Sequence, residues 1–232
     1  MRKPAPGTIS RLADWRPEQH IGRHVAAENP IPFLRLFIAI PLPADVRQEI
    51  GRLQARLRRE TPPGTVRWSP KDQFHITLKF LGDVPAGQLA ALQQALAPIC
   101  AAGRPLELSA HGIGFFPHAS QPRVIWAGAG DHHHRLPELH RQIDEATRRF
   151  APAERPEKFA SHITLGRFKP GGHGGIPRLL EAAAALHDRH FGDWQASEVQ
   201  LVQSQLTSVR AEHSVLAAFP FQIPLETNSL ED

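Results

Sequence analysis

Two hydrophobic periods alternate along the chain. Leu34-Arg35-Leu36-Phe37-Ile38-Ala39-Ile40 is β-branched and aromatic and runs into Pro41-Leu42-Pro43, which predicts a buried strand. Val46, Ile50, Leu53 and Leu57 then recur at helical spacing and predict a helix over residues 44–59, broken by Pro62, Pro63 and Gly64. Val66-Arg67-Trp68 reads as a short strand, residues 74–80 alternate apolar and polar, and residues 82–85 read as a turn. A second amphipathic helix covers residues 87–100, with Leu89, Leu92, Leu96 and Ile99 inward. Residues 106–110, 112–116 and 122–127 are strand-like. A histidine-rich loop at 131–134 leads to a third helix over 136–150, with Leu136, Leu139, Ile143 and Ala146 inward. Residues 161–165 alternate again. A glycine loop at 171–175, a fourth helix over 176–187 and strands over 194–204 and 215–223 complete the body. Helices and strands interleave in two comparable blocks, which predicts an α+β protein with two sheets meeting at a cleft.

The ends read differently. Residues 1–32 carry Pro4, Pro6, Pro17, Pro30 and Pro32 and few aliphatics, the pattern of an irregular N-terminal extension. A short helix over residues 17–27 is the one element the pattern allows there. Residues 33–225 form the domain, and residues 226–232 are a polar tail.

The two alternating strands share a phrase. Phe74-His75-Ile76-Thr77-Leu78 and Ser161-His162-Ile163-Thr164-Leu165 both contain His-Ile-Thr-Leu, 87 positions apart. That spacing suits two halves of one domain. Residues i and i+2 of a strand share a face, so His75 pairs with Thr77 and His162 with Thr164. Phe74, Ile76, Leu78 and Phe80 are expected on the opposite, core face, and Lys79 beside Thr77. A lone His-x-Thr is usually structural; repetition of both outward positions, residue for residue, is not explained by burying Ile and Leu. Two imidazoles can divide acid and base roles near neutrality. Hydroxyls beside them can bind the non-bridging oxygens of a phosphodiester. The histidines are not spaced as a local zinc site and no carboxylate cluster accompanies them, so the expected chemistry uses no metal or other cofactor.

Composition adds limits. The chain has 232 residues and a net charge of +4, with lysine scarce and arginine abundant, which suits a phosphate-bearing partner. The one cysteine, Cys100, is expected to pack in the core and excludes an internal disulfide; with no apolar run of about 18 residues and no hydrophobic leader, a cytoplasmic protein without membrane contact is expected. His132, His133, His134 and His140 read as a solvated loop leading into a helix. The glycine loop lacks the Lys-Ser/Thr of a phosphate-binding P-loop. Phe37 and Phe116 are candidates to stack a base; Trp126 is expected in the core.

The sequence resembles the two-histidine (2H) phosphoesterase superfamily, and most closely its bacterial and archaeal RNA 2′,3′-cyclic phosphodiesterase (LigT/ThpR-like) branch. The resemblance rests on Arg35-Leu36-Phe37-Ile38-Ala39-Ile40 with Leu42-Pro43, and on Val66-Arg67-Trp68. It continues through Phe74-His75-Ile76-Thr77-Leu78-Lys79-Phe80-Leu81-Gly82, Phe116-Pro117, Pro122-Arg123-Val124-Ile125-Trp126-Ala127 and His162-Ile163-Thr164-Leu165-Gly166-Arg167. It implies a bilobal fold with pseudo-two-fold symmetry and the two motifs facing across a central cleft. It implies hydrolysis of ribose 2′,3′-cyclic phosphates to 2′-phosphomonoesters, with RNA ends or nucleotides as partners and a monomer as the working unit. On that model His75 protonates the departing 3′-oxygen, His162 activates water, and Thr77, Thr164 and Arg167 bind substrate. Strict alternation, however, puts Arg167 on the face opposite His162. Two departures stand out: Ser161 replaces the usual Pro before the second His, and the 32-residue lead is unusual. Related readings are a phosphodiesterase of small cyclic nucleotides or ADP-ribose cyclic phosphate, a reversible 2′–5′ RNA ligase, and a non-catalytic RNA-end-binding module.

Overall fold

Strand β1 (Phe33–Pro41) lies at the middle of one half of the molecule, paired antiparallel with β3 (His75–Pro85) on one side and β8 (Glu198–Leu206) on the other. The computed structural model describes residues 32–151, 159–171, 176–207 and 211–222. The predicted extension over residues 1–32 (apart from residue 32), most of the glycine loop and the tail lie outside them. Among the described residues the α-helices are α1 (Ala44–Arg59), α2 (Leu89–Ala102), α3 (Leu136–Thr147) and α4 (Pro177–Ala184). The remaining strands are β2 (Val66–Trp68), β4 (Leu106–Phe116), β5 (Val124–Asp131), β6 (His162–Phe168), β7 (His190–Ala196) and β9 (Ala211–Pro220).

The strands run in the order β7-β4-β5-β6-β3-β1-β8-β9, with β2 added to β6. The two expected sheets are thus two halves of one antiparallel sheet. They meet at the two His-Ile-Thr-Leu strands, through the single pair Ile76–Ile163. The predicted turn at residues 82–85 is the end of β3, held by β1 pairing out to Phe33–Pro85. Residues 106–116 form one strand that bends at Gly112, whose φ of 58° places it in the left-handed region that favours glycine. The strand expected over residues 194–204 is two, separated at Ser197.

One face of this sheet is the core. Leu36, Ile38, Ile40, Ile76, Leu78, Ile163 and Leu165 are buried there with Ile50, Leu57, Leu92, Leu96 and Ile143 of the helices. Each such side chain contributes roughly 1.5–3 kcal/mol when fully buried. Cys100 packs among them, and burial pushes its thiol up to about 12, the state of a packing group rather than a nucleophile. Phe37, Ala39 and Val202 form a separate buried cluster on the face turned away from the helices. Among the described residues no helix is long and apolar enough to cross a membrane.

Candidate active site

Register settles which side chains share the helix-free face, because directly opposed residues of an antiparallel pair lie on the same side. Thr77 opposes Ala39 and His75 opposes Pro41, whereas Ile76 opposes buried Ile40. His75 and Thr77 therefore project with Phe37 and Ala39. A bulge then interrupts β3 at Leu78, and a bulge shifts the alternation by one residue. Lys79 consequently opposes Ile38 and turns into the helix layer, while Phe80 opposes Phe37 and turns out of it. Lys79 Nζ lies 2.6 Å from Asp144 Oδ1 and donates to the Asp144 carbonyl at 3.1 Å. Its ammonium holds the Asp144 carboxyl below the usual carboxylate range. These placements correct two expectations: Lys79 does not share the face of Thr77, and Phe80, 48% exposed, is not in the core.

The second strand repeats the device. His162 opposes Gly128, Thr164 opposes Trp126 and Arg167 opposes Val124, with a bulge at Leu165. Leu165 and Gly166 both face the helices, and Arg167 returns to the face of His162 and Thr164. The bulge is held in place: the Leu165 carbonyl accepts from the Ser69 N–H at 2.9 Å and from Gln54 Nε2 at 2.8 Å. Gly166 has to be glycine, since a Cβ there would lie 2.6 Å from Val66 Cγ1 and 3.2 Å from the Arg67 carbonyl. Strict alternation therefore misplaces Arg167, and the bulge is the reason. Phe80 and Arg167, each five residues beyond its histidine, occupy matching positions in the two halves.

Both imidazoles are anchored alike. His75 Nδ1 donates to the Gln73 carbonyl at 2.7 Å, and His162 Nδ1 to the Ala160 carbonyl at 2.8 Å. Each neutral ring thus presents an unprotonated Nε2. The Thr77 hydroxyl lies 3.1 Å from His75 Nε2. The His75 ring stacks on Phe37 at 4.8 Å; the His162 ring meets the edge of Phe116 at 4.9 Å and lies 6.4 Å from Trp126. Trp126 is on this face opposite Thr164, not in the helix-facing core where it is expected. Its indole lies over Gly114, where any Cβ would collide with it. Ser161 donates its hydroxyl to the Ala129 carbonyl at 2.6 Å.

The electrostatics tie the groups together. Burial lowers His75 to about 4, aided by the positive charges of His213, His162 and Arg167 and opposed by the Gln73 carbonyl. Burial, then Arg167, also lowers His162. Arg167 is itself lowered by burial and by Arg67. His75, His162 and Arg167 thus sense one another across the Ile76–Ile163 seam.

His213 of β9 is a functional candidate that the sequence pattern misses. Its ring lies 4.9 Å from Phe37 and 5.6 Å from His75. Gln73, whose carbonyl orients His75, donates its side-chain amide to the Ala211 carbonyl at 2.9 Å, tying that turn to β9. Among fourteen histidines no local motif distinguishes His213; only the order β3-β1-β8-β9 brings it to the site. The loop histidines are engaged at the surface, His132 with Asp193 at 3.2 Å and His133 with Glu107 at 3.1 Å. His140 stacks on Phe159 at 4.2 Å.

Comparison with known proteins finds relatives of this chain. The model of the LigT-like phosphoesterase family matches residues 40–126. An RNA 2′,3′-cyclic phosphodiesterase of Methanothermobacter thermautotrophicus is 30% identical over 75% of this chain and 91% of its own length. Another, of Geobacillus stearothermophilus, is 33% identical over 79% of this chain, which spans 56% of that relative's length. Among solved structures, TT0787 of Thermus thermophilus is similar with a TM-score of 0.66 and 26% identity, covering 81% of this chain and 98% of that one. Escherichia coli LigT complexed with 3′-AMP is similar with a TM-score of 0.64 and 25% identity, covering 82% and 99%. Through the Methanothermobacter relative, 30% identical and matched over 91% of its own length, the chain belongs to the LigT-like phosphoesterases of the two-histidine superfamily.

Proposed function

We propose that this protein hydrolyses ribose 2′,3′-cyclic phosphates at RNA ends, leaving 2′-phosphomonoesters, by proton transfer between His75 and His162. The observation that carries the reading is the paired presentation of two Nε2 atoms. Each sits on a strand with a threonine two residues on, each is fixed through Nδ1 by a backbone carbonyl, and Arg167 is close enough to influence both. Water attacks phosphorus as His162 Nε2 takes its proton. The P–O3′ bond breaks, and the departing 3′-oxygen receives a proton from His75 Nε2. The product carries the phosphate on O2′ and a free 3′-hydroxyl. Thr77, Thr164 and Arg167 hold the non-bridging oxygens, on which transition-state charge accumulates.

Burial leaves His75 neutral at pH 7 in the free protein. A bound phosphate places negative charge among His162, His213 and Arg167, and an opposite charge at that range favours the protonated ring. Substrate thereby prepares its own acid. The proton inventory closes within the two imidazoles, so the reading requires no metal. Both histidines, both threonines and Arg167 come from one chain, so it requires no partner subunit either.

The test is incubation of the purified protein in EDTA with an oligonucleotide ending in a 2′,3′-cyclic phosphate and with 2′,3′-cyclic AMP, followed by identification of the product. A 2′-phosphomonoester is expected, with His75→Ala and His162→Ala each lowering kcat by at least about 100-fold. A 3′-phosphomonoester, or variants as active as wild type, would overturn the reading. Loss of turnover in EDTA would overturn its metal-free form, and turnover of the mononucleotide alone would move the substrate class away from RNA.

A further inference from the structure

Arg67 lies directly opposite Arg167 where β2 pairs with β6. Opposed residues share a face, so Arg67 belongs to the surface that carries His162, Thr164 and Arg167. Both arginines are exposed, and among the described residues neither forms an ion pair with a carboxylate. Like charges directly opposed across strands are destabilising, and the repulsion registers on Arg167, which Arg67 holds below its usual value after burial has done so. The ladder fixes the two backbone positions opposite each other. The Val66–Phe168 and Trp68–Gly166 pairings on either side fix the register, and the missing side chain of Gly166 lets Val66 and the Arg67 carbonyl approach closely. Two arginines opposed on adjacent strands, whose backbones run about 4.8 Å apart, can bring their guanidinium groups onto an anion that neutralises both.

Resting on the functional reading above, we propose that Arg67 is a substrate-binding residue for a second phosphate: the one on O5′ of the nucleoside whose 2′,3′-cyclic phosphate lies between the histidines. The direction follows from the substrate. An end closed by a 2′,3′-cyclic phosphate continues only through O5′, so the next negative charge is on that side. Arg67 stands on β2, which pairs with the same edge of β6 as β3 but opposite Arg167, five residues past His162 and beyond Thr164, so a chain leaving the site along β6 meets it. Its task is selection rather than chemistry. It favours substrates with an O5′-phosphate over a nucleoside cyclic phosphate with a free 5′-hydroxyl.

Three substrates separate the outcomes: a nucleoside 2′,3′-cyclic phosphate with a free 5′-hydroxyl, the same molecule with a 5′-phosphate, and a dinucleotide ending in the cyclic phosphate. For wild type, kcat/KM is expected to be about tenfold or more higher for the phosphorylated substrates, the scale of one charge-assisted hydrogen-bonded contact. Arg67→Gln is expected to remove that advantage through KM, leaving the 5′-hydroxyl substrate within about twofold. Arg67→Lys, which keeps the charge without the fork, is expected to fall between. The salt dependence of KM for the dinucleotide should also weaken by about one phosphate contact in Arg67→Gln. A preference for both phosphorylated substrates assigns the subsite to any O5′-phosphate, and a preference for the dinucleotide alone assigns it to the RNA linkage. An equal loss on all three substrates, or no loss on any, would overturn the inference while leaving the hydrolytic reading intact. Failure of wild type to turn over any of the three would overturn both.

Discussion

His75 is a partly buried imidazole held in its neutral form in the free protein. Its Nδ1 proton goes to a backbone carbonyl and its ring lies on Phe37, so protonation of Nε2 must be done in a site that already holds cationic neighbours. Its value in the folded protein, about 4, lies below the roughly 6.5 of an unfolded histidine. The unfolded chain therefore binds the extra proton between these values. The stability contributed by the neutral ring is complete above about pH 6.5 and is lost as pH falls toward 4, by about 3 kcal/mol in all. Urea unfolding at pH 7 and pH 4 is expected to show His75→Gln losing about that much less stability than wild type over the interval. Equal losses in the two proteins would contradict the burial. The same shift predicts that kcat/KM, which reports the free enzyme, is bell-shaped with its limbs displaced below the ordinary histidine range. The limbs of kcat should lie at higher pH, because bound phosphate favours the protonated rings.

At the scale of elements, the bulges decide what reaches the site. The alternation of residues 74–78 and 161–165 makes His75, Thr77, His162 and Thr164 legible in the sequence, because a period of two survives as long as the ladder is regular. It fails one residue later in both copies. A pattern that contains no sign of a bulge assigns Lys79, Phe80 and Arg167 to the wrong faces, and size alone misplaces Trp126. The cause is tertiary: the Leu165 carbonyl is taken by Ser69 and Gln54, which come from a different part of the chain. Gly166 is the local trace of that arrangement. Gly166→Ala would force a Cβ against Val66 and the Arg67 carbonyl. We expect it to cost about 1–3 kcal/mol and to raise KM by displacing Arg67 and Arg167, with the histidines unaltered. Thermal unfolding and steady-state kinetics check this together; an alanine accommodated with unchanged KM would show that the bulge does not position the arginines.

At the scale of the whole molecule, two half-sheets join at the two strands that carry the His-x-Thr motifs. β3 and β6 touch through Ile76 and Ile163, both fully buried, and the imidazoles project from the residues immediately preceding them. The helix-facing contact therefore sets the separation of the histidines without touching substrate. Ile163→Ala is expected to cost about 2–5 kcal/mol by leaving a cavity at the seam. Leu201→Ala, at an equally buried position in β8 away from the seam, should cost a similar amount. Their effects on rate should differ. A displacement of about 1 Å in reacting groups can cost about 100-fold, so Ile163→Ala should depress kcat well beyond Leu201→Ala at matched stability and under conditions where both proteins are fully folded. Equal kcat values in the two variants would mean that each half positions its histidine alone. A selective fall would place the acid–base spacing in a pair of apolar side chains on the far side of the sheet.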